Sequence, residues 1–218
     1  MSVLNAIVQG IFLGGLYALF ACGLSLMFGV LRIINLAHGD IAVLSAFLVW
    51  YIATQTGMSP FLALLIALPV MLAVGYGLQV TLLARSLRSG ALTPLLTTFG
   101  LAIVIQNALL QGFSPDVRSL GAAAGSVSIR SWHVGALAIP YLGLLVLALA
   151  VAVLGGLHLV LRRTAFGREM RATAEDPDTA GLVGIPASAV YARATALAVG
   201  TATLAGTFLA IHSSFSPS

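Results

Sequence analysis

The sequence predicts an all-α bundle of about six transmembrane helices. Of its 218 residues, 60% are hydrophobic and 7% are charged, whereas a soluble domain carries about a quarter charged residues. Long uncharged runs recur along the chain, and a helix needs about 20 such residues to cross a bilayer. The runs do not alternate as barrel strands do. Helices must therefore satisfy the backbone amides within the membrane.

The uncharged runs define the predicted spans in order, within one domain over 1–218. A Gly57-Met58-Ser59-Pro60 break separates the second span, which is short and polar at its front, from the third. In the sixth span, small residues recur at four-residue spacing and predict close approach of another helix; they are Ala198, Ala202, Gly206 and Ala210. The six predicted spans are 3–31, 41–51, 61–83, 89–115, 131–161 and 194–211.

The arginines predict the orientation of the bundle. All ten basic residues are arginines, and they form no basic stripe of the kind that nucleic-acid sites need. Seven lie on the connectors of one side: Arg32, Arg85, Arg88, Arg162, Arg163, Arg168 and Arg171. Arg118 and Arg130 lie on the other. The positive-inside rule places the seven in the cytoplasm and the N-terminus outside.

Catalytic and cofactor motifs are missing from the sequence. It has no lysine and no phosphate-loop pattern, and its histidines lack the spacing of metal ligands. The prediction is a non-enzymatic membrane protein with no catalytic residue, cofactor or metal.

Polar residues cluster between the first two spans, where Asn35, His38, Gly39 and Asp40 fall within six positions. A charged aspartate at the centre of a membrane helix costs about 2.5–3.5 kcal/mol, so it is expected to be paired, hydrated or functional. One interpretation is an interfacial corner in which Arg32 neutralises Asp40. The other is a polar break that lines a conduction path, with Gly39 allowing the backbone to bend.

Most of the few charged residues lie in one connector between predicted spans. Nine of the 16 charged residues fall between Arg162 and Arg193. Asp176 followed by Pro177 is typical of a helix start, and Gly184 followed by Pro186 is typical of a stop, which predicts a short helix over 179–183. This helix either rests on the bundle's own face or docks a soluble partner, with Leu182, Val183 and Ile185 as its apolar edge.

Three stretches resemble the permease subunits of the branched-chain amino acid family of bacterial ABC importers. They are Gly14-Gly15-Leu16-Tyr17-Ala18-Leu19 leading into Gly23–Gly29, Ile34-Asn35-Leu36-Ala37-His38-Gly39-Asp40, and Phe166–Asp176 with Gly184-Ile185 following. The resemblance implies an inner-membrane permease that imports leucine, isoleucine or valine delivered by a periplasmic binding protein. ATP hydrolysis would occur in separate subunits.

The resemblance also implies partners and site residues. The expected partners are a second permease subunit, two cytoplasmic ATP-binding subunits, the periplasmic binding protein and membrane lipid, without nucleic acid. Asn35, His38, Gly39 and Asp40 match the family motif and are assigned to the translocation path. The cytoplasmic loop 161–187 is assigned to ATPase coupling through Gly167, Arg168, Arg171, Glu175, Asp176, Asp178, Gly184 and Ile185.

Several alternatives stay open at this point. The same machinery carries urea, short amides or other amino acids in related systems. A channel or secondary carrier is disfavoured because the third to sixth spans lack ionisable groups at mid-membrane; a membrane scaffold is a further alternative. Family members usually continue through further spans beyond Ser218, so the chain is expected to be truncated at its C-terminus.

Overall fold

The computed structural model describes residues 3–90, 92–113, 115–121, 123–125, 131–134 and 137–216. Its helices are α1 (Val3–Leu31), α2 (His38–Thr56), α3 (Pro60–Leu78), α4 (Thr93–Phe113), α5 (Tyr141–Arg163), α6 (Ala165–Glu175), α7 (Pro177–Leu182) and α8 (Ala187–His212). After Leu78, α3 continues as a π-helical segment Gln79–Leu83, one α-helical turn Ala84–Ser86 and a 3-10 turn Leu87–Ser89. The predicted all-α class is confirmed.

Five of the described helices are long and apolar enough to cross a membrane: α1, α3 with its continuation, α4, α5 and α8. The second predicted span corresponds to α2, which is 19 residues long and falls outside this set. At 1.5 Å per residue, α2 measures about 28 Å. Its role as a sixth span stays a prediction.

The predicted start of the fifth span at Ser131 is wrong. Ser131–Val134 (β1) and Leu137–Pro140 (β2) pair as an antiparallel hairpin, with Ser131 opposite Pro140. The membrane helix begins only at Tyr141, with Pro140 in extended conformation at its N-cap. Apolar composition alone does not separate a strand from a helix, and a proline ten residues into a helix would break its hydrogen bonding.

Helix α8 forms the centre of the bundle and packs against α1, α2 and α3. It begins at Ala187, seven residues before the predicted start, because Pro186 occupies its N-cap. The predicted stripe of small residues is buried along α8. A Cβ at Gly206 would overlap the Ala42 carbonyl of α2, so the predicted close approach of helices is confirmed.

The arginine-rich connectors gather at one end of the bundle. Ile33, Leu83 and Met170 share an apolar cluster there. At the opposite end, the Arg118 amide donates to the Phe215 carbonyl at 2.9 Å. Arg130, predicted on that opposite side, lies outside the described residues. The grouping agrees with the charge pattern, whereas the assignment of the ends to membrane sides stays a prediction.

Candidate functional site

The polar break begins where α1 ends. Arg32 adopts a left-handed conformation with φ 56°, and its amide donates to the Phe28 carbonyl at 3.0 Å. A left-handed residue at this position is a common helix terminator, usually glycine or asparagine. From Arg32 the chain reverses direction and runs back into the bundle as a non-helical segment, 32–37, before α2 starts.

Asn35 organises this non-helical segment. Its side chain is 4% exposed, and its Oδ1 accepts the Ala37 amide at 3.0 Å. Its Nδ2 contacts Met27 Sδ at 3.5 Å, and its carbonyl accepts the His38 amide at 3.2 Å. Asparagine satisfies turn amides in this way, so Asn35 fixes the point at which α2 begins.

His38 attaches the start of α2 to the middle of α1. The side chain is 1% exposed, its Nε2 lies 3.2 Å from the Phe20 carbonyl oxygen, and its ring meets the Phe20 ring edge-on. A Cβ at Gly23 would lie 2.7 Å from His38 Cε1, so glycine makes room for the imidazole. Phe20 lies eleven residues, about 16 Å, before the end of α1. The break is therefore inside the bundle.

Helix α4 holds the other side of the break. Gln106 Nε2 donates to Asp40 Oδ1 at 2.8 Å, and the Leu36 amide donates to Thr98 Oγ1 at 3.2 Å. Gln106 and Thr98 were not among the predicted site residues. Their eight-residue spacing, which puts both on one helix face, was the signal for a polar face on α4.

Arg32 does not neutralise Asp40 as one of the two interpretations of this segment proposed. Arg32 Nη2 donates instead to the Ala174 carbonyl of α6 at 3.0 Å. The two residues are separated because Arg32 stays at the end of α1, whereas Asp40 follows the inward-running segment and faces α4. Asp40 is half-buried, and Gln106 rather than Arg32 supplies its hydrogen bond. The Arg32–Asp40 pairing of the interfacial-corner interpretation does not form, whereas the position of this segment relative to the lipid headgroups stays a prediction.

Gly39 lies in the first turn of α2 without a positive φ, so it does not serve as the expected bend. It borders a cavity of about 300 Å³ between α1, α2 and α8. The cavity lining is almost entirely apolar, with Tyr17, Phe20, Val43 and Leu209 among its side chains. The apolar lining makes this cavity suitable for an aliphatic group.

The charged loop contains two helices, of which the sequence pattern predicted one. In the helix it missed, α6, the Thr164 hydroxyl accepts the Gly167 amide at 3.2 Å as an N-cap. Gly167 packs so tightly on Leu161 that a Cβ would overlap the Leu161 carbonyl. Thr164, and the spacing of Phe166 and Met170, were the signals that could have located this helix.

The predicted short helix is confirmed as α7, with Asp176 as its N-cap. Asp176 Oδ1 accepts the Asp178 amide at 3.0 Å and the Thr179 amide at 3.2 Å, and its Oδ2 accepts the Thr179 hydroxyl. The Thr179 hydroxyl, followed by the backbone amides, lowers the pKa of Asp176 below its usual value. At the other end, Gly184 has φ 84°, the left-handed terminator that glycine favours.

The apolar edge predicted for α7 is divided between two surroundings. Ala180 is buried, and Ile185 packs against the cluster at the arginine-rich end of the bundle. In contrast, Leu182 is 88% exposed and Val183 is 73% exposed. Helix α7 therefore rests on the bundle and also presents two uncovered aliphatic side chains.

The remaining charged residues of the loop divide between pairing and exposure. Glu169 pairs with Arg193 of α8 at 3.5 Å, and Arg171 Nη1 donates to the Leu161 carbonyl. Arg168, Glu175 and Asp178 are exposed. The described residues contain no group of three or more His, Cys, Asp or Glu side chains that could hold a metal.

The two predicted site segments meet through α6. Ala174, whose carbonyl accepts from Arg32, lies two residues before the Asp176 cap of α7. Met170 of α6 packs in one apolar cluster with Leu31 and Ile33, which flank Arg32. The polar break and the charged loop therefore form one continuous structure, a juxtaposition that sequence reasoning did not provide.

Comparison with known proteins gives a consistent match. A family model described as "Branched-chain amino acid transport system / permease component" matches residues 6–218. The chain is 26% identical to the high-affinity branched-chain amino acid transport system permease protein BraD of Pseudomonas aeruginosa, over 96% of this chain and 71% of that protein. It is 28% identical to LivH of Escherichia coli K12, a permease protein of a system with the same description, over 94% and 70%.

A third relative carries a different substrate in its name. The fructose import permease protein FrcC of Rhizobium meliloti is 30% identical over 157 residues, which cover 70% of this chain and 41% of that protein. No solved structure matches.

Proposed function

Because this chain belongs to the permease component family of branched-chain amino acid transport systems, we propose that it is the membrane subunit of an ATP-driven importer of leucine, isoleucine and valine. The match over residues 6–218 carries the proposal. A periplasmic binding protein delivers the solute, a second permease subunit completes the path, and two cytoplasmic subunits hydrolyse ATP. The arginine-rich end faces the cytoplasm and the N-terminus faces the periplasm.

The exposed edge of α7 supports docking of the ATP-hydrolysing subunits. Leu182 and Val183 lie outside the long apolar helices, and exposed aliphatic side chains gain free energy when a partner covers them. Glu175 and Asp178 flank this edge as exposed carboxylates, which provide charge for orienting a basic partner. The loop 161–187 is proposed to be the coupling element.

The contact between Arg32 and Ala174 supports a route from this loop to the translocation path. A shift of α6 and α7 acts on Arg32, which is continuous with the segment that carries Asn35. Asn35 and His38 are buried and hydrogen-bonded, so they hold the break in its present shape. Asp40 is half-buried and its carboxyl oxygen accepts from Gln106, and we assign it to the solute path with the neighbouring Gly39.

The cavity beside Gly39 favours an aliphatic solute. Its volume of about 300 Å³ and its apolar lining suit the side chain of leucine, isoleucine or valine better than urea or a sugar, because polar groups in such a cavity would lose hydrogen bonds to water. The name of FrcC nevertheless makes a sugar the second candidate substrate.

Uptake by the assembled importer tests the proposal. The chain is reconstituted with a second permease subunit, the ATPases and a periplasmic binding protein from the same organism, and uptake of radiolabelled leucine, urea, acetamide and fructose is measured with and without ATP. We expect ATP-dependent leucine uptake that requires the binding protein. Uptake independent of ATP would identify a channel or secondary carrier, and uptake of fructose alone would overturn the assigned substrate.

A further inference from the structure

A long groove separates α1 from α5 at the arginine-rich end of the bundle. Its volume is about 700 Å³, and α6 closes one end. Along α1 its lining extends from Ala18 to Val30, twelve residues or about 18 Å of helix. One leaflet contributes about half of the roughly 30 Å hydrocarbon core. The groove therefore has the length of a single leaflet.

The lining of the groove changes character from one end to the other. Ala18 and Ala21 of α1 and Leu154 of α5 line the inner part, whereas Arg162 and Arg171 line the part beside α6. The groove is open at Gly29, where an added Cβ would meet no atom within 4 Å. Ser25 and His158 also line the groove between these ends. The groove is therefore mainly apolar and ends at two arginines.

The two arginines retain donors for a ligand. Both are exposed. Arg171 uses Nη1 for the Leu161 carbonyl, and Arg162 has no side-chain hydrogen bond within the described ranges. Guanidinium groups bind phosphate through paired N–H donors, so this end of the groove is suited to an anion.

We propose that this groove binds one anionic phospholipid, with an acyl chain along α1 and α5 and its phosphate at Arg162 and Arg171. Water is a poor occupant because the inner lining offers few hydrogen-bond partners. Basic pockets between membrane helices bind anionic headgroups, and the groove length matches an acyl chain. This site requires only that the helices lie in a membrane, so it does not depend on the transported solute.

Such a lipid has a structural consequence for the loop. Arg162 belongs to α5 and Arg171 belongs to α6, so one phosphate bridges the two helices at the corner from which α7 projects. Any effect of this bridge on transport rests on the proposed coupling role of the loop, whereas lipid binding itself does not.

Native mass spectrometry of the full chain tests the site. The protein is titrated with phosphatidylglycerol or phosphatidylcholine, and bound lipids are counted. We expect one tight site for phosphatidylglycerol, about fivefold weaker in Arg162→Gln and retained in Arg162→Lys. Gly29→Leu fills the groove and should abolish the tight site, whereas Gly100→Leu, which adds the same side chain at an open position of α4, should not.

Cys22 provides a second readout, because this single cysteine of the sequence lines the groove. Phosphatidylglycerol should slow its alkylation by N-ethylmaleimide relative to phosphatidylcholine. Equal binding of both lipids, or a tight site unaffected in both Arg162→Gln and Gly29→Leu, would overturn the proposal. Protection of Cys22 by the second permease subunit in a lipid-free complex would show that protein occupies the groove.

Discussion

Helix α8 and the loop helix α7 are stabilised in opposite ways, α8 by burial and α7 by its N-cap. In α8, 78% of the most apolar 18-residue stretch is buried. Of its buried threonines, Thr201, Thr203 and Thr207 donate to carbonyls within the helix, whereas Thr195 donates to Gln79 Oε1 of the α3 continuation. In α7, six residues depend on the Asp176 cap, and Leu182 and Val183 remain uncovered. A helix of six residues is unstable alone in water.

This difference predicts that α8 is the rigid scaffold and that α7 is the segment that can move. α8 contacts three long helices, so shifting it would disturb most of the core. α7 contacts the bundle through Ala180, and Ile185 packs on the bundle just after the helix, so α7 can move at lower cost. The comparison predicts that substitutions in α8 change stability, whereas substitutions in α7 change partner binding and coupling.

The largest effect is expected at the contact between α8 and α2. Gly206→Val places a branched side chain against the Ala42 backbone, and overpacking of a core typically costs 1–3 kcal/mol or more. We expect a loss of folded protein, measured by thermal unfolding in detergent. Gly100→Val in α4 is the matched control, since its Cβ position is open. Equal stability of the two variants would contradict the central role of α8.

The next effect concerns binding of the ATPase subunits to α7. Leu182→Asp with Val183→Asp removes the uncovered aliphatic pair, and loss of such an anchor commonly weakens an interface by tenfold or more. We expect co-purification of the ATPases to fall while thermal stability is unchanged. Leu92→Asp alters another exposed leucine, 73% exposed, outside the loop, and should retain co-purification.

Charge reversal at Asp176 and Asp178 probes the same helix differently. It removes the cap as well as negative charge near the interface, so it should lower co-purification too. If co-purification is unchanged both in this variant and in the Leu182→Asp/Val183→Asp variant, the assignment of α7 to ATPase docking is wrong.

Local patterns in the sequence predicted the main features of both α8 and α7. The small-residue stripe of α8 and the Asp176-Pro177 start of α7 are short-range patterns with direct geometric consequences. The hairpin before α5 was missed because hydropathy does not report strand pairing, although Pro140 marked the true helix start. The partner of Arg32 was not predictable, because it depends on where the loop folds back against α1, which is a long-range property.

An intermediate effect is expected at Arg32, which joins the two regions. Arg32→Gly accepts the left-handed backbone but deletes the bond to Ala174. Arg32→Ala deletes the same bond but keeps the cost of about 1–2 kcal/mol that an L-residue has in the left-handed conformation, whereas glycine removes this cost. Coupling between sites typically amounts to 1–3 kcal/mol, so we expect leucine transported per ATP to fall about tenfold in both variants, with Arg32→Gly the more stable of the two.

The control for Arg32 is Arg88→Ala, which removes an exposed arginine away from the Ala174 contact. Arg32→Lys should restore part of the coupling if it reaches the Ala174 carbonyl. A wild-type transport ratio in Arg32→Gly would show that the Ala174 contact transmits nothing, even if the importer itself works as proposed.

The smallest effect is the pH response of the α7 cap. Because hydrogen bonds lower the pKa of Asp176 in the folded chain, its contribution to α7 is complete above the usual aspartate pKa and is lost as pH falls through the lowered value. The Asp178 and Thr179 amides should therefore stay protected from hydrogen exchange at neutral pH and lose protection only in acid.

Two substitutions test this dependence on Asp176. Asp176→Asn keeps a neutral acceptor and should flatten the pH dependence, whereas Asp176→Ala should remove the protection at every pH. Acid sensitivity equal in the wild type and Asp176→Asn would assign the effect to another group, and α7 would then depend on its Ala180 and Ile185 contacts more than on its cap.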